Sequence, residues 1–207
     1  MKENCCKKRV VVYGDSNTYG YRGQDGGRYA PEDRWINVAE EVAGDKFQIL
    51  NQGMNGRIAY NYVPPCIAAD YVCVMLGSND LLCGFGFDAE MIARLAFKVI
   101  ERARNLMNEI YPQNECKYVL IAPPQISKDI LNGPWSTAYE GPQTIEISME
   151  LSDCFKKVAE EEGVMFFDAA PYSETCRDDG IHLTKAGHKH LGEAFGRFLL
   201  ELDKESK

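Results

Sequence analysis

The chain has 207 residues, 45% of them hydrophobic and 26% charged, and carries a formal net charge of −8. That length suits one domain able to bury its own core without disulfide or metal staples, and the composition is that of a globular protein rather than a disordered one. An acidic chain with no concentrated Lys/Arg field is not expected to bind nucleic acid, because neutralising phosphates needs such a field.

The first nine residues, Met1 to Arg9, carry positive charge but no apolar run. Neither a signal peptide nor a membrane-spanning segment is expected, and the expected location is the cytoplasm. Eight cysteines (Cys5, Cys6, Cys66, Cys73, Cys83, Cys116, Cys154 and Cys176) with no Cys-x-x-Cys spacing read as free thiols rather than a disulfide framework or metal site. Cys73, inside the apolar run Tyr71–Leu76, reads as a small core residue.

In chain order, Val10-Val11-Val12-Tyr13-Gly14 reads as a buried strand running into a glycine turn, after which Asp15-Ser16-Asn17-Thr18 opens a helix. Asp and Ser here have two readings. They are ordinary helix-cap residues, and Ser16 is also a candidate nucleophile beside the unpaired N–H groups of a helix start. A glycine-rich loop follows from Tyr19 to Arg28. It is no phosphate-binding loop, lacking a Gly-Lys-Ser/Thr ending and a strand immediately before it. A helix is expected over Ile36–Ala43, capped by Asp33 and stopped by Gly44.

Phe47–Leu50 is a second strand, leading into a tight turn with Gly53 and Gly56. Asp70–Leu76 is a third, nearly continuous in apolar residues as buried parallel strands are, and it ends at Gly77-Ser78-Asn79-Asp80. Apolar residues at helical spacing predict the longest helix over Asp88–Tyr111. Lys117–Ile121 is a fourth strand, and residues 125–142 form an irregular excursion of the kind that is usually functional or mobile. A helix over Thr144–Glu162, a fifth strand over Val164–Phe167, the stretch Asp178-Asp179-Gly180-Ile181-His182 and a last helix over Thr184–Leu202 complete the chain.

Alternating strands and helices imply an α/β fold, a parallel sheet with helices on both faces and its ligand site at the carboxyl ends of the strands. Ser16, the Gly53–Gly56 turn, Asn79 and the Asp179/His182 loop all fall on that rim. A serine needs a base, and the base needs an acceptor to fix its tautomer. His182 is the candidate base. His188 and His190 lie inside the last helix and read as solvent-facing or cap-neighbouring residues. Asp179, three residues before His182, is favoured over Asp178 as its partner. The backbone N–H groups of Ser16 and Gly56 and the side-chain amide of Asn79 could converge on an oxyanion.

These four blocks, in this order, resemble those of the SGNH (GDSL) hydrolase family across essentially the whole chain. The resemblance implies Ser16 as nucleophile, His182 as base, Asp179 as its partner, Gly56 and Asn79 as oxyanion donors, and a three-layer flavodoxin-like fold with strand order 2-1-3-4-5. Arg28-Tyr29-Ala30-Pro31, Arg34-Trp35, Gly53–Arg57 and Met75–Leu81 are similar to the arylesterase and acyltransferase branch. The chain departs from that branch at Ile36, Ile58 and Ala59, positions that bear on acyl and alcohol preference. The α/β-hydrolases share the Ser…Asp…His order but carry their serine in a mid-chain Gly-x-Ser-x-Gly elbow, absent here.

The expected activity is a serine esterase acting on small acyl esters, by hydrolysis or transacylation, through an acyl-enzyme and without cofactor or metal. A carbohydrate O-acetyl esterase of the same mechanism and a non-catalytic ligand-binding module are the alternatives. Asp15, Trp35, Asn55 and Trp135, with Tyr139, are expected at the substrate pocket, and the branch resemblance implies a homo-oligomer.

Overall fold

Val10, Val11 and Val12 have no exposed surface, which fits β-branched residues in the middle of a sheet covered on both faces. The strand they form, β1 (Lys8–Gly14), is flanked by β2 (Phe47–Gly53) and β3 (Tyr71–Met75), with β4 (Lys117–Ala122) and β5 (Met165–Asp168) beyond β3. The order is β2-β1-β3-β4-β5 and every pairing is parallel. The computed structural model describes residues 7–139 and 141–205, so Cys5 and Cys6 lie outside the described residues.

The two-residue period of the strands sorts the apolar residues into two cores. Val11, Tyr13, Val72, Val74 and Leu120 face α3 (Ala89–Ile110) and α4 (Gly141–Glu161). Val10, Val12, Tyr71, Cys73 and Met75 face α2 (Trp35–Ala43) and α5 (Lys185–Glu205). Each helix shows a buried stripe to the sheet, as in α2, where Trp35, Ile36, Ala39 and Ala43 are the buried positions. Between β1 and α2, Ser16–Tyr19 makes a single helical turn, α1, closed by Gly20 in the left-handed conformation.

Several boundaries differ from the sequence expectation for identifiable reasons. β2 runs on to Gly53 because Asn51, Gln52 and Gly53 continue the ladder opposite Val12, Tyr13 and Gly14. Asp33 does not cap α2: it ends the 3₁₀ turn Pro31–Asp33, pairs with Lys185 at 2.8 Å, and leaves Arg34 at the cap position with no side-chain bond. The excursion is shorter than expected, since Lys128–Asn132 forms a 3₁₀ turn and α4 begins at Gly141. Cys66, Cys73, Cys116, Cys154 and Cys176 are free thiols, and Cys73 is buried in the second core. Among the described residues no helix is long and apolar enough to cross a membrane.

His188 corrects the sequence reading outright. It is fully buried between α5 and α2, with its Nδ1 accepting the Trp35 backbone N–H at 3.3 Å and its ring edge-on to Tyr29. Burial pushes its pKa down from 6.5 to about 4, and its Nε2 has no hydrogen-bond partner among the described residues. The unfolded chain therefore takes up this proton below pH 6.5 while the folded chain refuses it until about pH 4. The stability that neutral His188 contributes is fully present above pH 6.5 and is lost as pH falls through about 4. Thermal or urea melts of the wild type and His188→Gln should show their stability difference changing by on the order of 3 kcal/mol between pH 7 and pH 4, against the wild type at low pH. A difference independent of pH contradicts this burial effect.

Candidate active site

All five strands point their carboxyl ends at one rim, and the chain leaves β1 there through Asp15 into α1. Asp15 caps α1, its Oδ1 accepting the Asn17 N–H at 2.9 Å. Because α1 is one turn, a helix macrodipole contributes little at Ser16, and the local N–H groups are what remain. The Ser16 hydroxyl lies 2.9 Å from His182 Nε2, and His182 Nδ1 lies 2.7 Å from Asp179 Oδ2. With Nδ1–H donating to the carboxylate, Nε2 is left to accept from the serine. Ser16 is 6%, His182 7% and Asp179 1% exposed, so the relay is sheltered but opens at one end.

Asp179 is held by opposing effects. Burial pushes its carboxyl up, but the His182 imidazole and the backbone N–H groups of Ile181 and His182 outweigh that and leave it below the usual range. It thus stays a carboxylate beside the imidazole. Its shelter comes from glycines: a Cβ on Gly23 would sit 2.3 Å from Asp179 Oδ2, and one on Gly133 would sit 3.1 Å from Asp179 Cα. The glycine-rich loop and the excursion therefore close over this carboxylate. Sequence reading missed that role, though the density of glycines in 20–27 was its signal.

Asn17 is a second residue that sequence reading passed over. Its amide Nδ2 donates to the Ile181 carbonyl at 3.3 Å and its Oδ1 accepts the Leu183 N–H at 2.9 Å, gripping the backbone on either side of His182. A buried amide directly after Ser16, where a helix would bury an apolar residue, was the available signal.

Asn79 is fixed with similar economy. Its Nδ2 donates to the Arg57 carbonyl at 3.0 Å, and its Oδ1 receives a long 3.4 Å bond from the Tyr139 hydroxyl. One Nδ2 hydrogen has no partner among the described residues. Burial pushes the Tyr139 pKa up, so that hydroxyl remains a donor. Arg57 in turn sends its guanidinium to the carbonyls of Gly14 (2.9 Å) and Gln52 and stacks on Tyr62. One residue therefore joins the end of β1, the turn carrying Gly56 and the loop carrying Asn79. Asp80, fully buried, reinforces this by accepting the N–H groups of Ala59 and Tyr60.

Ser16, His182, Gly56 and Asn79 open onto a cavity of about 270 Å³. Asn55, Trp135 and Tyr139 line it, as do Tyr21, packed on the His182 ring at 4.3 Å between centroids, and Leu82. Gly56 adopts φ 71°, a conformation that favours glycine. Two expected pocket residues lie elsewhere. Trp35 is wholly buried in the second core, edge-on to Phe195, because it belongs to the buried stripe of α2. Its indole N–H supports the site from below by donating to the Asn17 carbonyl at 3.2 Å. Asp15 points into the protein as a cap, and burial raises its pKa to about 6 against the lowering effects of the Asn17 N–H and His182. Among the described residues no group of three or more His, Cys, Asp or Glu side chains is placed to hold a metal ion.

The Asp179 roof makes a prediction that needs no substrate. In Gly23→Ala the added methyl must displace the carboxylate, so the low-field proton resonance of His182 Nδ1–H should move upfield or vanish while the melting temperature changes by only a few degrees. An unaltered resonance contradicts the role given to Gly23.

No curated protein matches the chain at a significant level. Its fold is similar to several solved structures. Est24, a carbohydrate acetylesterase from Sinorhizobium meliloti, is 27% identical, with 95% of this chain and 100% of that chain covered and a TM-score of 0.84. The aryl esterase of M. smegmatis is 27% identical over 94% of this chain and 99% of its own, with a TM-score of 0.82. A further carbohydrate acetylesterase family member from Sinorhizobium meliloti is 25% identical over 94% and 98%, with a TM-score of 0.80. Residues 12–190 match the GDSL-like lipase/acylhydrolase family. A match over that span, on this sheet order, means that the chain belongs to the GDSL-like lipase/acylhydrolase family and is an SGNH-type ester hydrolase.

Proposed function

We propose that the protein cleaves small acyl esters through an acyl-enzyme formed on Ser16. The observation that carries this is the unbroken hydrogen-bonded relay Ser16–His182–Asp179, opening into a small apolar cavity with the Asn79 amide on its wall. Ser16 Oγ attacks the ester carbonyl as His182 Nε2 takes its proton, and Asp179 stabilises the imidazolium. The Ser16 and Gly56 backbone N–H groups and the free Asn79 Nδ2 hydrogen receive the oxyanion. His182 then passes the proton to the leaving alkoxide. Water, or a second alcohol, enters, gives its proton to His182 and attacks the acyl carbonyl; His182 then returns that proton to Ser16 Oγ as the acyl C–Oγ bond breaks, releasing the acid or new ester and restoring the free serine. No step needs a cofactor.

The size and apolar lining of the cavity favour a small acyl group with an aryl or alkyl alcohol over a bulky polar substrate. A second reading is the removal of O-acetyl groups from a carbohydrate. Its support is Trp135, 42% exposed on the cavity wall, where an aromatic face can stack on a sugar, together with the likeness to structures named as carbohydrate acetylesterases. Comparing kcat/KM for aryl acetates and acetylated oligosaccharides separates the two: Trp135→Ala should depress only the oligosaccharide rate if the second reading holds, and leave the two in constant ratio if the first does.

With p-nitrophenyl acetate, Ser16→Ala should show no turnover above background while melting like the wild type. Retained wild-type turnover removes Ser16 as nucleophile. Asn79→Ala should lower kcat by about 10²–10³ with little change in KM, as loss of one oxyanion donor does elsewhere. A fall below about threefold would leave Asn79 a structural residue.

A further inference from the structure

Beside the cavity at Ser16 lies another of about 160 Å³, and Leu82 is in the wall of both. Tyr139 lines the first cavity and Thr144, in the first turn of α4, lines the second. Tyr139 bonds Asn79 through its hydroxyl, and Thr144 donates to the Tyr139 carbonyl, so this part of the wall is held at both ends. The Leu82 side chain is different. It is half-buried and held by packing alone, although its backbone N–H is tied to the Asn79 carbonyl at 3.3 Å. Beyond it the lining is mixed: Leu81, Phe87 and Ile147 offer apolar surface, with Phe87 stacked on Phe85 at 5.3 Å, while Asp88, Gln143 and Thr144 contribute polar groups.

Which part of a substrate would meet Leu82 follows from the proton path. His182 Nε2 must reach the leaving oxygen, so the alcohol lies on the His182 and Tyr21 side. The oxyanion lies toward Asn79 and Gly56. The third substituent of the carbonyl carbon, the acyl group, is left to run past Asn79, in the direction the chain itself takes to Leu82.

We propose that Leu82 is the specificity-determining partition that restricts the enzyme to short straight-chain acyl groups, acetyl to butyryl, and that the cleft behind it is an acyl subsite that Leu82 shuts off from Ser16. This rests on the reading of Ser16 as the acylated residue. Truncating Leu82 joins the two chambers and gives the distal methylenes of a medium-length chain an apolar place. Each methylene so buried favours the longer ester by about fourfold, so the effect grows with chain length.

The test is a series of p-nitrophenyl esters from acetyl to octanoyl, which holds the leaving group constant. For Leu82→Ala the ratio of kcat/KM for octanoyl over acetyl should rise at least tenfold. Leu82→Phe should lower the butyryl over acetyl ratio, and Leu82→Met should stay near the wild-type profile. An unchanged octanoyl ratio in a folded Leu82→Ala variant overturns the inference. So does a change that appears instead in a series of acetates with different alcohols. If no variant and not even the wild type turns over any ester, the Ser16 reading falls by itself. The partition is then judged by calorimetry with octanoate, which Leu82→Ala must bind at least tenfold more tightly than the wild type; equal binding overturns it.

Discussion

His182 stands beside Ser16 because one side chain, the Asn17 amide, holds the backbone on both sides of it across 164 and 166 residues of sequence. The two bonds are buried and use both ends of the amide, so they fix direction as well as distance. Everything at the rim is referred to this grip. Trp35 supports the Asn17 carbonyl from the second core, Asp15 holds the Asn17 N–H, and Asp179 orients the imidazole thus delivered. The parallel sheet brings strand ends to one rim, but it is side-chain hydrogen bonds that close the last few ångströms between loops.

Concentrating polar groups at a buried rim carries a stability penalty that the two apolar cores offset. Asp15, Ser16, Asn17 and Thr18 are all buried; Thr18 Oγ1 has no hydrogen-bond partner among the described residues, and the Ser78 hydroxyl meets the Asp15 carboxylate without ideal geometry. Each unsatisfied group costs about 1–3 kcal/mol. Such strain is ordinary where a fold holds a reactive group ready, and it is tolerable because β1, from which the site hangs, lies at the centre of both cores.

Much of this architecture is readable in the chain. Apolar strand runs, helical periodicity and strand–helix alternation predict the parallel sheet, and the glycine, asparagine and histidine blocks fall on its rim because each follows a strand. What escapes is whatever depends on which face a side chain takes. Trp35, next to a basic, glycine-rich loop, looks like a pocket residue, yet helical spacing with Ile36, Ala39 and Ala43 turns it into the second core. His188 looks like a surface helix residue because its helix is otherwise rich in charge, but it faces α2. Gly23, Asn17 and Leu82 do their work through contacts with residues more than sixty positions away or through the space between two cavities; the run of glycines and the amide after Ser16 are visible in the chain, but the partners they meet are not. The Arg57 link among three loops is of the same kind: its place after Gly56 is visible, its partners are not.

The central claim is that Ser16 is made nucleophilic by the relay to His182 and Asp179. Treating the native protein with a fluorophosphonate probe and mapping the adduct by peptide mass spectrometry tests that claim without any assumption about the natural ester. The account predicts a single adduct on Ser16, formed at a rate that collapses when His182 is replaced by Ala. No adduct, or an adduct on another serine with Ser16 untouched, would contradict it.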